Sequence, residues 1–175
     1  TRPVEEALVG FGHSVPALAP RDEAKSYRHR YSAGVGVGNM TVSATWQVLN
    51  INEPTIKKLE ADLRRACSSL LNSEIFIHES FVNVYHGKSQ VVKHNHVIKT
   101  DEDLAISAQK FSLVYYLRVG DQNAAQPGIL KLYDPDLAIH PKQGMIILFP
   151  ASVMHSASYS GTEQRIVLGA NFYTI

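Results

Sequence analysis

Four side chains carry the chemistry open to this chain: His94, His96, His155 and Arg165. Residues two apart on a β-strand point to one face, so Lys93-His94-Asn95-His96 aims two imidazoles at one spot. Imidazole is a good ligand for divalent transition metals. His155 follows an apolar run that ends in Phe149-Pro150, and ten residues later Arg165 opens another strand-like run. A metal pocket beside a permanent cation suits a ligand that both chelates and carries negative charge. Taken singly, these residues mean little, since a His-x-His is usually solvated and a lone arginine usually sits at the surface. The combination carries the reading. His13, His29, His78, His86 and His140 have no such company and read as structural or exposed.

The elements that must position these groups are mostly strands. Alternation and turn signals give Ser80–His86, Val91–His96, Phe111–Val119, Ile129–Tyr133, Gly144–Phe149, Val153–Ser158 and Arg165–Tyr173, separated by glycine, proline and Asp/Asn clusters. Ahead of them one amphipathic helix is expected over about residues 52–72. Asn52 is its cap, Pro54 lies in its first turn, and Ile56, Leu59, Leu63, Ala66 and Leu70 form its apolar stripe. Short strands at this spacing indicate a mainly β fold, a sandwich or barrel braced by that helix. Cys67, the one cysteine, falls on the helix's apolar side and reads as a buried thiol. Thr100 to Leu104 reads as a polar loop at the pocket mouth. Residues 1–42 are irregular or edge structure, in which Gly34-Val35-Gly36-Val37-Gly38 is a turn or bulged edge strand, and Ser43 to Leu49 alternates as a strand.

The order of these pieces resembles the 2-oxoglutarate- and Fe(II)-dependent oxygenases, above all the prolyl-hydroxylase-type enzymes and short oxygenases related to them. The resemblance runs from about Ser80 to Tyr173. It rests on Asn83-Val84-Tyr85-His86-Gly87, His94-Asn95-His96, Ser112-Leu113-Val114-Tyr115-Tyr116-Leu117, Pro127-Gly128-Ile129-Leu130 leading to Asp134-Pro135, Gly144 to Pro150, His155 and Arg165. It implies a double-stranded β-helix, or jelly roll, in one domain over 1–175 with its core at 75–175. It also implies Fe(II), 2-oxoglutarate and O₂ as cofactors, and hydroxylation of a C–H bond in a small molecule or peptide with release of succinate and CO₂. His94 and His155 then fit two iron ligands, one from each side of the jelly roll. Arg165 suits the far carboxylate of 2-oxoglutarate, because a guanidinium is always charged and binds carboxylates as a fork. The resemblance gives Tyr116 a hydrogen bond to the same carboxylate. Tyr85 or Asn83, of one parity, is placed to touch cosubstrate or substrate, and Asn171, of one parity with Arg165, faces either the substrate or the core.

One departure stands out. The usual metal motif is His-x-Asp or His-x-Glu, whereas this chain has His96 at the carboxylate position. His96 is the preferred third ligand, and Asp101 or Asp103 from the following loop is the alternative. Two other functions stay open: a cupin-like three-histidine dioxygenase that needs no 2-oxoglutarate, and a non-catalytic jelly-roll binding module. The 175 residues, 45% apolar and 19% charged, are enough for one real core. A net charge of +1 from 17 basic and 16 acidic residues points to neither nucleic acid nor a membrane surface. No apolar run is long enough for a span, and no charged-then-apolar leader opens the chain. Thr1 fits a trimmed initiator or a fragment boundary. A single cysteine favours the reducing cytoplasm. Oligomeric state stays open.

Overall fold

The computed structural model describes residues 36–42, 47–122 and 128–175. Expectations for residues 1–35 and 43–46, including His13, His29 and most of the Ser43–Leu49 strand, lie outside them. Among the described residues there are eight strands: β1 (Gly36–Val42), β2 (Ile75–His94), β3 (Lys110–Arg118), β4 (Leu130–Tyr133), β5 (Asp136–Ile139), β6 (Ile146–Pro150), β7 (His155–Tyr159) and β8 (Arg165–Thr174). Every named strand pairing is antiparallel.

The strands form a double-stranded β-helix because β2 serves two sheets. Ile75 to Tyr85 pairs with β8, giving the order β2–β8–β3–β6. Ser89 to His94 pairs with β7, giving β5–β4–β7–β2, with β1 also alongside β2. Sequence alone divides β2 at His86-Gly87-Lys88. The chain instead runs through it as one bent strand, with Gly87 at φ 64°, a conformation glycine adopts without a side-chain penalty. The register shift between Gly38 and Met40 makes β1 a bulged strand, as its glycines suggest.

The helix α1 (Pro54–Leu71) braces the outer face of the first sheet. Its buried residues Ile56, Leu59, Leu63 and Cys67 pack with Val48, Leu49, Leu113, Leu168 and Phe172 in one apolar cluster. Burial pushes the Cys67 thiol above its ordinary pKa. Two details differ from expectation. Glu53, rather than Asn52, is the cap, its carboxylate accepting from the Ile56 amide at 2.9 Å. The buried stripe turns to Cys67, which leaves Ala66 and Leu70 exposed. Val48–Asn50 is a 3₁₀ turn rather than the end of a strand, and the Leu49 amide donates to Ser80 Oγ at 2.9 Å. The Thr100–Leu104 segment is also no loop: Lys99–Asp103 forms a short helix, α2.

Candidate metal centre and carboxylate pocket

The triad forms where two strand ends meet. His94, the last residue of β2, stands opposite His155, the first residue of β7, in the ladder. The two are neighbours on one sheet rather than contributions from opposite sides of the jelly roll. His96 lies just beyond the strand, its amide donating to the Ala151 carbonyl at 2.9 Å, so the turn before β7 fixes its backbone. Ring centroids are 4.2 Å apart for His94 and His155, 4.9 Å for His94 and His96, and 5.0 Å for His96 and His155. One ring nitrogen from each lies within 4.8 Å of the others, the one such group of three metal-capable side chains among the described residues.

Tautomer and protonation both suit a metal. His94 Nδ1 lies 2.8 Å from the Val92 carbonyl and His155 Nδ1 lies 3.0 Å from the Val153 carbonyl. A carbonyl can only accept, so Nδ1 carries the proton in each ring and Nε2 keeps its lone pair. Burial lowers the pKa of all three. His96 falls to about 2 through burial and then repulsion by His155, His94 and Lys110. His155 falls to about 4 through burial and His94, against a small rise from the Val153 carbonyl. His94 falls through burial. Three neutral imidazoles, poised as ligands, result at neutral pH. Their donor set fits a borderline divalent ion such as Fe(II).

The competing acids are committed elsewhere. Asp101 is buried, and its Oδ2 accepts from Lys110 Nζ at 2.8 Å and the Ile98 amide at 2.9 Å, while Oδ1 accepts from the Tyr173 hydroxyl at 2.6 Å. Burial raises its pKa, but Lys110, Tyr173 and the Ile98 amide outweigh that and hold it below the usual carboxylate range. Asp103 pairs with Lys99 at the surface.

Arg165 opens β8 and is 2% exposed. It stands opposite Tyr85 in the ladder with β2. Its Nε donates to the Val119 carbonyl at 3.0 Å and its Nη1 to the Ser158 carbonyl at 3.5 Å. The guanidinium lies 4.2 Å from the Tyr159 ring centroid and 6.0 Å from that of Tyr116, a cation–π arrangement. Gly128 lets the backbone come this close, since a Cβ there would sit 2.5 Å from Nη1. The Tyr159 hydroxyl, donating to the Glu163 carbonyl at 2.6 Å, lies 2.9 Å from Asp121 Oδ1. Asp121 also accepts from the Thr162 and Glu163 amides, which hold its pKa well below the carboxylate range and tie the β7–β8 turn to the end of β3.

Two buried atoms in this pocket lack a partner: Arg165 Nη2 and Asn83 Oδ1. Asn83 lies two residues before Tyr85, and its side-chain N–H donates to the Tyr85 hydroxyl, which leaves Oδ1 free. Burial pushes the Tyr85 pKa up to about 12 and that of Tyr116 higher still, so both phenols stay protonated donors. Burial lowers the Arg165 pKa, with the three tyrosines opposing, yet a guanidinium remains charged at any working pH. A buried donor left unpaired costs about 1–3 kcal/mol. An anionic oxygen would relieve Nη2, and this is the physical fit between the pocket and a carboxylate. Asn171 has a different setting: it accepts from Ser112 Oγ at 2.7 Å and donates to Glu79 Oε1 at 2.5 Å.

Sequence reasoning missed Tyr159, Gly128 and Phe149. The Tyr159 ring covers Arg165, and the Phe149 ring meets that of His155 at 4.9 Å, edge to face. Tyr159 shares strand parity with His155, a usable signal; nothing local marks Gly128 as the residue against the guanidinium.

No protein-family model and no curated protein matches this chain. Among solved structures it is similar to a prolyl-4-hydroxylase from Pseudomonas putida, with 14% identity over 100% of this chain and 88% of that one and a TM-score of 0.60. It is also similar to HygX from Streptomyces hygroscopicus, whose structure holds nickel and 2-oxoglutarate, with 14% identity over 89% and 80% of the two chains and a TM-score of 0.57. A Burkholderia pseudomallei oxidoreductase of the 2OG-Fe(II) oxygenase family matches at 16% identity over 70% of this chain, with a TM-score of 0.53. The chain spans 58% of that protein's length. At these identities the likeness is one of fold: the chain has the double-stranded β-helix of 2-oxoglutarate–Fe(II) oxygenase structures.

Proposed function

We propose that the protein is a 2-oxoglutarate-dependent Fe(II) dioxygenase that hydroxylates a C–H bond of a small molecule or peptide. The observation that carries this reading is the unpartnered Nη2 of Arg165, a buried cationic donor in the jelly roll that also holds the histidine triad. A cupin-like three-histidine dioxygenase has no use for a buried carboxylate clamp, a module that binds a sugar or peptide has no use for three neutral, converging imidazoles, and a module that binds only a metal ion has no use for the clamp. His94, His96 and His155 would hold the iron, and Arg165, with Tyr116 and Tyr85, the far carboxylate of 2-oxoglutarate. When bound, iron and 2-oxoglutarate supply O₂ activation, with succinate and CO₂ as coproducts.

The chain's own residues do the rest. Nδ1 donation by His94 and His155 fixes ring orientation, so the ligand set is organised before a metal arrives. Val114, Ile147 and Ala157, packed near the tyrosines, make the pocket apolar and limit water there. The single buried thiol, Cys67, agrees with a reducing cytoplasm.

The direct test is calorimetric titration of 2-oxoglutarate into protein loaded with Fe(II) under anaerobic conditions, followed by succinate release in air. Saturable binding that needs the metal, together with succinate formation, is expected. Metal uptake without any 2-oxoglutarate binding would favour the three-histidine cupin instead.

A further inference from the structure

Across the jelly roll from the triad, one carboxylate faces inward with no cation paired to it among the described residues. Its place follows from the ladders. Phe149, whose ring touches His155, stands opposite Ser112; Ser112 stands opposite Asn171; and Asn171 stands opposite Glu79. Residues directly opposite in a ladder share a face. Ser112, Asn171 and Glu79 therefore form a polar row on the inner face, level with Phe149 and the triad end of the barrel.

The row is bonded in one direction, Ser112 to Asn171 to Glu79. Asn171 and Ser112 are fully buried, while Glu79 is half-buried and reaches solvent. Among the described residues no lysine or arginine pairs with Glu79. Lys110, on the same inner face opposite Tyr173, is held by Asp101 at 2.8 Å. Anchoring Asn171 requires only an acceptor, which a neutral amide would supply. Asn171 meets the carboxylate through Oε1, and a cationic donor is the partner that hydrogen-bonds a carboxylate most strongly. Along β8, Asn171 is six residues from Arg165, about 20 Å at strand spacing. The inner wall thus carries a cation at one end and an anion at the other.

We propose that Glu79 is the substrate-recognition residue and that the substrate is an amine, its ammonium group bound by the Glu79 carboxylate. This rests on the oxygenase reading, in which Arg165 takes the anionic cosubstrate and leaves the Glu79 end for the substrate. Asn171 and Ser112 are positioning residues that orient the carboxylate.

The test uses the full chain loaded with Ni(II) and 2-oxoglutarate, whose uptake is measured first. 1,5-Diaminopentane, L-lysine amide and glucosamine are then titrated, each against its N-acetylated form. At least one amine is expected to bind saturably, with its N-acetylated form roughly tenfold weaker or more. Glu79→Gln keeps an acceptor for Asn171 and removes the charge, so it should show the same loss with Ni(II) and 2-oxoglutarate uptake unchanged; Glu79→Asp should recover part of it. Equal binding of amine and N-acetylated form, no amine binding, or amine binding unaltered in Glu79→Gln overturns the assignment. The wild-type comparison decides the matter even if the variant misfolds. Failure to take up Ni(II) or 2-oxoglutarate would instead strike the oxygenase reading.

Discussion

Strand β8 is buried on both faces, but by two kinds of neighbour. Ile166, Leu168, Ala170 and Phe172 face outward into the apolar cluster that includes α1. Arg165, Val167, Gly169 and Asn171 face inward, where the neighbours are Tyr85, Phe81, Glu79 and the polar groups of β3. The outer residues differ in size and agree in chemistry. The inner ones alternate charge, apolar surface, no side chain and amide. Burial alone therefore does not separate stability from function along this strand; parity does.

That contrast can be broken from either side. The largest effect is expected at the triad: His155→Ala leaves two ligands of three and should weaken iron binding by more than about a hundredfold, since even the outer partners of metal ligands cost 10–100-fold. Metal analysis after dialysis would read this directly. His96→Asp should keep iron, because it places a carboxylate at the same corner; loss of iron there would mean the position tolerates only imidazole.

On the outer face, Leu168→Ala removes a side chain with no exposure. It should cost about 2–5 kcal/mol of stability, measured by urea denaturation, with iron affinity per folded molecule unchanged. On the inner face, Arg165→Ala should give the opposite profile. One charge-assisted hydrogen bond contributes about 1.5–3 kcal/mol, so the apparent KM for 2-oxoglutarate should rise roughly tenfold to hundredfold while iron binding holds. Arg165→Lys should recover part, keeping charge and losing the fork. Unchanged 2-oxoglutarate dependence in Arg165→Ala would remove the case for a carboxylate clamp.

A further effect concerns pH. The folded chain holds His155 near a pKa of about 4, against 6.5 in an unfolded chain. Between these values the unfolded state takes up a proton that the fold refuses, so the metal-free protein should lose stability as pH falls from about 6.5 toward 4. His155→Gln should flatten that slope in denaturation curves at successive pH values, and the stabilisation by added metal should hold across neutral pH and fade only as pH falls toward 4, where the folded His155 is protonated.

The residues that converge were legible because their chemistry is rare and their spacing regular: two histidines two apart, a third after an apolar strand, an arginine on the next. Strand positions followed from alternation. What escaped depends on distant partners. α2 has five residues, too few to hold by propensity, and its Asp101 is fixed by Lys110 and Tyr173. The hairpin at Asp134-Pro135 shows in its motif, but its second strand, β5, is not among the strands expected from alternation, because its exposed residues carry no burial pattern. Glu79 falls just before the strand expected from Ser80, and a register shift between Ile77 and Glu79 turns it inward. No local periodicity announces such a shift.

The bent course of β2 has a consequence for how the molecule opens. Asn83 and Tyr85, beside Arg165, and His94, in the triad, belong to one strand bonded to β8 at one end and β7 at the other. A fluctuation that frees this strand dismantles both half-sites together, so metal and cosubstrate should each slow amide hydrogen exchange across the whole of β2, including the part nearer the other ligand. Either ligand, bound first, then removes part of the ordering cost of the second. On the oxygenase reading, the continuity of a single strand would couple the two sites.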